Sequence, residues 1–210
     1  MIMAHGDDKG LVLPPRIAPI QVVFVPIHYK ESDKETILQT AHHTSDSLGK
    51  HSIRTFIDDR EQYTPGWKYH EWEMKGVPLR VEIGPRDMQS KQVTIVRRDT
   101  GKKTAVPQSD AVTHIVTILE EIQQSLLQRA RDTQDKLTTT ATDMKGLTHA
   151  IQATGGFVRA FLSEDNDCED KIQQETGATV RIVPFKESAK GKCVLCGSPN
   201  SREVYFARSY

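Results

Sequence analysis

The run Ile20-Gln21-Val22-Val23-Phe24-Val25-Pro26-Ile27 decides the fold class. It is almost continuously apolar and rich in β-branched residues, as a strand covered on both faces requires. A helix follows, for which Asp33 can serve as N-cap. Ile37, Ala41 and Leu48 keep helical spacing until Gly49 stops it. Thr55-Phe56-Ile57 reads as a second short strand ending in Asp58-Asp59. Pro65 suits the first turn of a further helix through Trp67, Tyr69 and Met74, closed by Gly76. Leu79 to Ile83 and Gln92 to Arg98 are two strands around a Gly84-Pro85-Arg86-Asp87 turn. The longest helix covers residues 110–136. There Val112, Ile115, Leu119, Ile122 and Leu126 alternate spacings of 3 and 4 and form one apolar stripe. The order βαβαββα belongs to the α/β class.

Upstream, residues 1–18 are an unusual start for a domain. Gly6, Gly10, Pro14 and Pro15 surround a strand-like trio, Leu11-Val12-Leu13, with no turn or cap before it. That reads as an edge cut out of a larger fold. Downstream, Thr138-Thr139-Thr140-Ala141-Thr142 breaks the helical pattern and is the boundary candidate. Beyond it come a helix (144–153), a strand (157–162), a helix (167–176), a strand (179–185), a Gly/Cys loop and a last strand (203–208). These make a second, small α+β unit.

Composition narrows the function class. The 210 residues carry 28 Lys/Arg and 28 Asp/Glu, so net charge gives no argument for a polybasic nucleic-acid binder. Residues 66–103 nevertheless hold nine Lys/Arg against five Asp/Glu, a local basic stretch that is a weak nucleic-acid signal. No apolar run approaches the roughly 18 residues that span a bilayer. Met1 to Gly10 is too polar for a signal peptide. Three cysteines are too few for a disulfide scaffold, which favours a reducing cytoplasm.

Long blocks of this chain resemble one family. His5-Gly-Asp-Asp-Lys-Gly-Leu-Val-Leu-Pro-Pro-Arg16, running into Ile20-Gln-Val-Val-Phe-Val-Pro26, resembles motif 3 of prolyl-tRNA synthetases entering their anticodon-binding domain. The likeness continues through Gly66-Trp-Lys-Tyr-His-Glu-Trp-Glu-Met-Lys-Gly-Val-Pro-Leu-Arg-Val-Glu-Ile-Gly-Pro-Arg-Asp87 and Val96-Arg-Arg-Asp-Thr-Gly-Lys102. It ends in Lys192-Cys-Val-Leu-Cys-Gly197 and Tyr205-Phe-Ala-Arg-Ser-Tyr210. The archaeal/eukaryotic type, with its C-terminal extension, is the one resembled.

The resemblance implies a remnant of the class II catalytic domain over 1–18, an anticodon-binding domain with a mixed sheet and helices over 19–136, and a small α+β C-terminal domain over 137–210. It implies ATP with Mg2+, proline and tRNA(Pro) as ligands of the full-length, homodimeric enzyme, with no membrane partner. Motifs 1 and 2 are missing from the sequence, which reads as the C-terminal part of a longer ligase, inactive alone. A free-standing tRNA-binding module without aminoacylation activity is the alternative.

By the same likeness Arg16 matches the catalytic arginine that holds the ATP phosphates, where it would stabilise charge electrostatically. His5 matches a residue lining the proline and adenosine side of that pocket, and Gly10 a close-approach glycine. Tyr69, Glu73, Arg80, Arg86, Asp87 and Lys102 match the anticodon-contacting region. Their chemistry suits it, since guanine N1–H and N2–H call for a carboxylate, O6 and N7 for a cation, and a splayed base for an aromatic plane. Trp67 and Trp72 read as helix core, and His42-His43 as a solvated face. Arg97 and Arg98 alternate across a strand, so at most one points to RNA.

Cys193-x-x-Cys196-Gly197 has the form of a zinc-knuckle turn, with Cys168 as a third ligand. In the family a fourth cysteine stands where this chain has Ser163. The remaining ligand is then sought in Asp165, Asp167, His149 or water. Without metal the cysteines read as small buried apolar groups.

Overall fold

The computed structural model describes residues 2–28, 31–164, 166–185 and 190–208. Two compact units divide at Gln128/Arg129.

In the first unit a small hairpin, β1 (Gly6–Asp7) and β2 (Gly10–Leu11), precedes β3 (Val22–Pro26), all five of whose residues are buried. Then come α1 (Glu31–Gly49), β4 (Thr55–Ile57), α2 (Pro65–Met74), β5 (Leu79–Ile83), α3 (Pro85–Gln89), β6 (Gln92–Arg97), β7 (Lys103–Pro107) and α4 (Ala111–Lys136). The five-stranded sheet has the order β4-β3-β5-β6-β7. β3 pairs parallel with β4 and β5, whereas β5-β6 and β6-β7 are antiparallel. One face, with Phe24, Leu79, Val81 and Ile95, packs on α1 and on the α4 stripe of Ile115, Leu119, Ile122 and Leu126. The other is only partly covered. Trp72 of α2 lies on Val23 and Val25 with Val77, which leaves β5 to β7 to polar side chains.

Several local expectations change. α1 begins at Glu31, so Asp33 lies within its first turn rather than at the N-cap. An acidic group still suits the positive end of the helix dipole there. The Gly84–Asp87 turn is the start of α3, with Pro85 in the first turn and Asp87 Oδ2 accepting from Gly84 N at 2.9 Å. β7 was not foreseen because it is an edge strand with only Val106 buried. Of the Leu11-Val12-Leu13 trio, only Leu11 is in a strand. Val12 joins the main core of this unit, which ties the segment to it. Trp67 is not core, being 44% exposed, whereas Trp72 is buried.

The second unit contains the end of α4, then β8 (Thr138–Thr140), α5 (Met144–Thr154), β9 (Phe157–Leu162), α6 (Asn166–Thr176), β10 (Ala178–Ile182) and β11 (Arg202–Arg208). The threonine run taken as a break is thus a strand, β8, parallel to β9. Its β-branched residues suit that role. β10 stops at Ile182, short of residue 185. The sheet order is β10-β11-β9-β8, over a core of Leu147, Ile151, Val158, Ile172, Val204 and Phe206. Among the described residues no helix is long and apolar enough to cross a membrane.

Candidate functional site

Thr64 caps α2, its hydroxyl accepting from Trp67 N, and Pro65 opens the helix. The helix thereby projects Tyr69 and Glu73 over the half-covered sheet face. Strand register sets the other members. Arg80 lies beside Val96, which lies beside Lys103, and Glu82 lies beside Thr94. Successive side chains of a strand alternate faces, so these all share the face opposite the main core.

Contacts join them. Arg80 is 7% exposed, with its guanidinium 4.0 Å above the Tyr69 ring. Its Nη1 donates to Glu73 Oε1 at 3.1 Å and its Nε to Glu82 Oε1 at 3.0 Å. Lys103 Nζ reaches Glu82 Oε1 at 3.3 Å. Asp87 touches the same face through Thr94 Oγ1, which donates to its Oδ1 at 3.0 Å. Both Asp87 oxygens therefore have partners, but each keeps a lone pair free for a ligand. Tyr69, Glu73 and Arg80 are brought together. Arg86 and Lys102 are exposed, with no side-chain hydrogen bond or ion pair to this group among the described residues. Glu82, Thr94 and Lys103 were missed; the alternation of Glu82 and Thr94 with Val81, Ile83 and Ile95 carried a signal, whereas Lys103 lies on the patternless edge strand β7.

The hairpin residues are tied to this unit. Arg98, 8% exposed, clamps the Asp7 carboxylate with Nη1 at 2.8 Å and Nη2 at 2.6 Å, and its Nε bonds Glu73 O. The guanidinium beside Asp7 holds its carboxyl down to about 2. Gly10 has φ +126°, and a Cβ there would stand 2.5 Å from Met74 Cα, so its close approach is to the end of α2. His5 is half-buried, and its carbonyl accepts from Val12 N. Arg16 is exposed and pairs with Glu120 at 3.1 Å. Arg54 fixes the segment from below by donating to the carbonyls of Ala18, Pro15 and Arg16. Both strand-end arginines are occupied, since Arg97 pairs with Asp99 and Glu121.

A buried polar group supports α2 from the β4 side. Asp58, fully buried, accepts from Arg60 Nε and Trp72 Nε1 at 2.8 Å each, and its carbonyl takes Lys68 Nζ at 2.9 Å. Burial raises the Asp58 pKa, but the Arg60 and Trp72 hydrogen bonds outweigh it and leave it lowered. Burial also lowers that of Lys68.

In the second unit the Sγ atoms of Cys168, Cys193 and Cys196 lie within 4.8 Å of one another. Cys168 comes from the first turn of α6. Cys193 and Cys196 come from a turn that Gly197 closes at φ +74°. Val194 N bonds Phe161 O, which sets the turn against the end of β9 and brings Cys196 Sγ 3.9 Å from Ser163 Oγ. Burial disfavours a thiolate at Cys193, but backbone N–H groups of Cys196, Ser163 and Leu195 bring it down to about 7. Three thiols in this disposition fit three of the four positions of a tetrahedral zinc, the fourth falling to a water. Neither His149 nor Asp167 belongs to the cluster, and Asp165 lies outside the described residues.

Two family models match the chain. One described as an anticodon binding domain covers residues 21–118. One described as the C-terminal domain of prolyl-tRNA synthetase covers 144–210. A proline–tRNA ligase of Natranaerobius thermophilus is 40% identical over 212 residues, covering 100% of this chain and 44% of the relative. The proline–tRNA ligase of Oceanobacillus iheyensis is 44% identical over 211 residues, with 100% and 43% covered. That of Cenarchaeum symbiosum is 43% identical over 210 residues, with 100% and 44% covered. The chain spans less than half the length of these relatives.

Proposed function

The chain belongs to the prolyl-tRNA synthetase family, whose C-terminal part it matches, and on that premise we propose that its first unit binds the anticodon of tRNA(Pro). The observation that carries this is the convergence of Tyr69, Glu73 and Arg80 on the open sheet face, with Asp87 at its edge. Proline anticodons share two guanines. Glu73 and Asp87 accept from guanine N1–H and N2–H, and the Tyr69–Arg80 stack offers a plane against which a splayed base can rest. The exposed Arg86 and Lys102 contribute through phosphates. Chemical footprinting of tRNA(Pro) with the 210-residue chain is expected to protect both anticodon guanines. Protection confined to other parts of the tRNA would overturn this reading.

The whole ligase attaches proline to tRNA(Pro) at the expense of ATP with Mg2+, as a cytoplasmic homodimer. Within it the family likeness would put His5 and Arg16 at the ATP and proline pocket, Arg16 leaving Glu120 for the phosphates, while Gly10 lets the hairpin pack against α2. The only strands before Ile20 in the described residues are a two-stranded hairpin, far less than an adenylate-forming sheet. The 210-residue chain alone is therefore expected to catalyse no proline-dependent exchange of pyrophosphate into ATP. Measurable exchange would contradict this.

Cys168, Cys193 and Cys196 would hold a structural zinc, with a water as fourth donor. Such an ion pins the 193–197 turn to α6 and β9. Because the unit also has its own apolar core, chelation is expected to lower its melting temperature without unfolding it, and Ser163→Cys, by supplying a fourth thiolate, to tighten zinc binding. Metal analysis and melting with and without chelator check both. No bound zinc and an unchanged melting temperature would remove the site.

A further inference from the structure

Arg80 has two carboxylate partners on the open face. Nη1 engages Glu73 of α2 at 3.1 Å, while Nε and Nη2 both engage Glu82 of β5 at 3.0 Å. The two acids differ in setting. The Glu73 side chain is 25% exposed and reachable from solvent, whereas that of Glu82 is 10% exposed and lies in the sheet. A guanidinium and the N1–H/N2–H edge of guanine present the same kind of paired N–H donors. Arg80 therefore occupies on Glu73 a place that a guanine can take.

Resting on the anticodon reading above, we propose that guanine binding exchanges the base for Arg80 on Glu73, and that Glu82 is the positioning residue that makes the exchange possible. When the base engages Glu73, Arg80 keeps its Nε hydrogen bond and its ion pair to Glu82 Oε1 and stays over Tyr69. Without that second acceptor, displacement would strand a buried cation, and a buried charge left unpaired is strongly unfavourable. Glu82 thus acts through Arg80 and touches no base itself. Lys103, whose side chain is 58% exposed, shares Glu82 and keeps that carboxylate aligned from the solvent side.

The test measures binding of two tRNAs by the 210-residue chain at one salt concentration, one with the proline anticodon and one with both guanines replaced by adenine. Glu82→Gln keeps the shape but removes the charge. It is expected to weaken the guanine tRNA about tenfold and to leave the adenine tRNA unchanged. In an Arg80→Met background the same substitution is expected to have no further effect on the ratio, since there is no guanidinium left to hold. Glu82→Asp, a milder change, is expected to give a smaller loss of the same kind, and covers the case in which Glu82→Gln does not fold. Equal weakening of both tRNAs by the Glu82 variants, or a full effect persisting without Arg80, would overturn the exchange and leave anticodon reading intact. No guanine preference in the unaltered chain would overturn both.

Discussion

Replacing Asp58 by alanine is expected to destabilise the first unit by about 3–5 kcal/mol, the loss typical of breaking a buried, hydrogen-bonded charge group. Asp58 has no exposed surface, and its carboxylate accepts hydrogen bonds from Arg60 and Trp72 and forms an ion pair with Lys68 at 3.8 Å. Its removal would leave Lys68, 5% exposed, without its nearest counter-charge, strip Trp72 Nε1 of its acceptor and free one side of Arg60. Asp58→Asn keeps an acceptor for Trp72 but not the charge, so it is expected to fall between wild type and alanine. Both tryptophans of the chain, Trp67 and Trp72, lie in α2, so their fluorescence in a urea titration follows this unit alone. The pH dependence has a defined sign. The folded pKa of Asp58 lies below its unfolded value, so its contribution is complete above about pH 4 and lost as the solution is acidified further. A loss under 1 kcal/mol for Asp58→Ala would show that the group does not hold α2.

The parts of the fold that were legible in the sequence are those where burial is symmetric or periodic. Val22 to Pro26 is buried at every position, and the α4 stripe buries Ile115, Leu119, Ile122 and Leu126 at helical spacing. β7 was hidden because an edge strand with a single buried valine has no pattern to read. α3 was hidden because it is five residues long, and its cap depends on a carboxylate also held by Thr94 from another strand. Position on α2 could not say which of Trp67 and Trp72 faces the sheet. That follows from how the helix lies on Val23 and Val25, whereas Trp67 stacks on Tyr63 at 3.8 Å in the open.

The candidate site was legible as residue types but not as a circuit. Tyr69, Glu73 and Arg80 were expected at a common surface, and they meet there. What no local spacing conveys is that Arg80 is buried and shared with Glu82, or that Asp7 and Arg98 close a contact across 91 positions. Such pairs arise from strand register and docking. The same is true of Ser163, whose nearness to Cys196 depends on how the 193–197 turn is hung from Phe161.

The measurement that bears most directly on the account is the affinity of the 210-residue chain for tRNA(Pro) against the same tRNA with both anticodon guanines replaced by adenine, at one stated salt concentration. Adenine lacks the N2 donor and presents a bare N1 acceptor, so a carboxylate facing it is desolvated and unpaired, a loss of about 1–3 kcal/mol per base. The replaced tRNA is therefore expected to bind at least tenfold more weakly. Glu73→Ala and Asp87→Ala are expected to narrow that gap, whereas Lys102→Ala is expected to weaken both tRNAs alike and reduce the salt dependence. Equal affinity for the two tRNAs would contradict the assignment of Tyr69, Glu73, Arg80 and Asp87 as the anticodon-reading face.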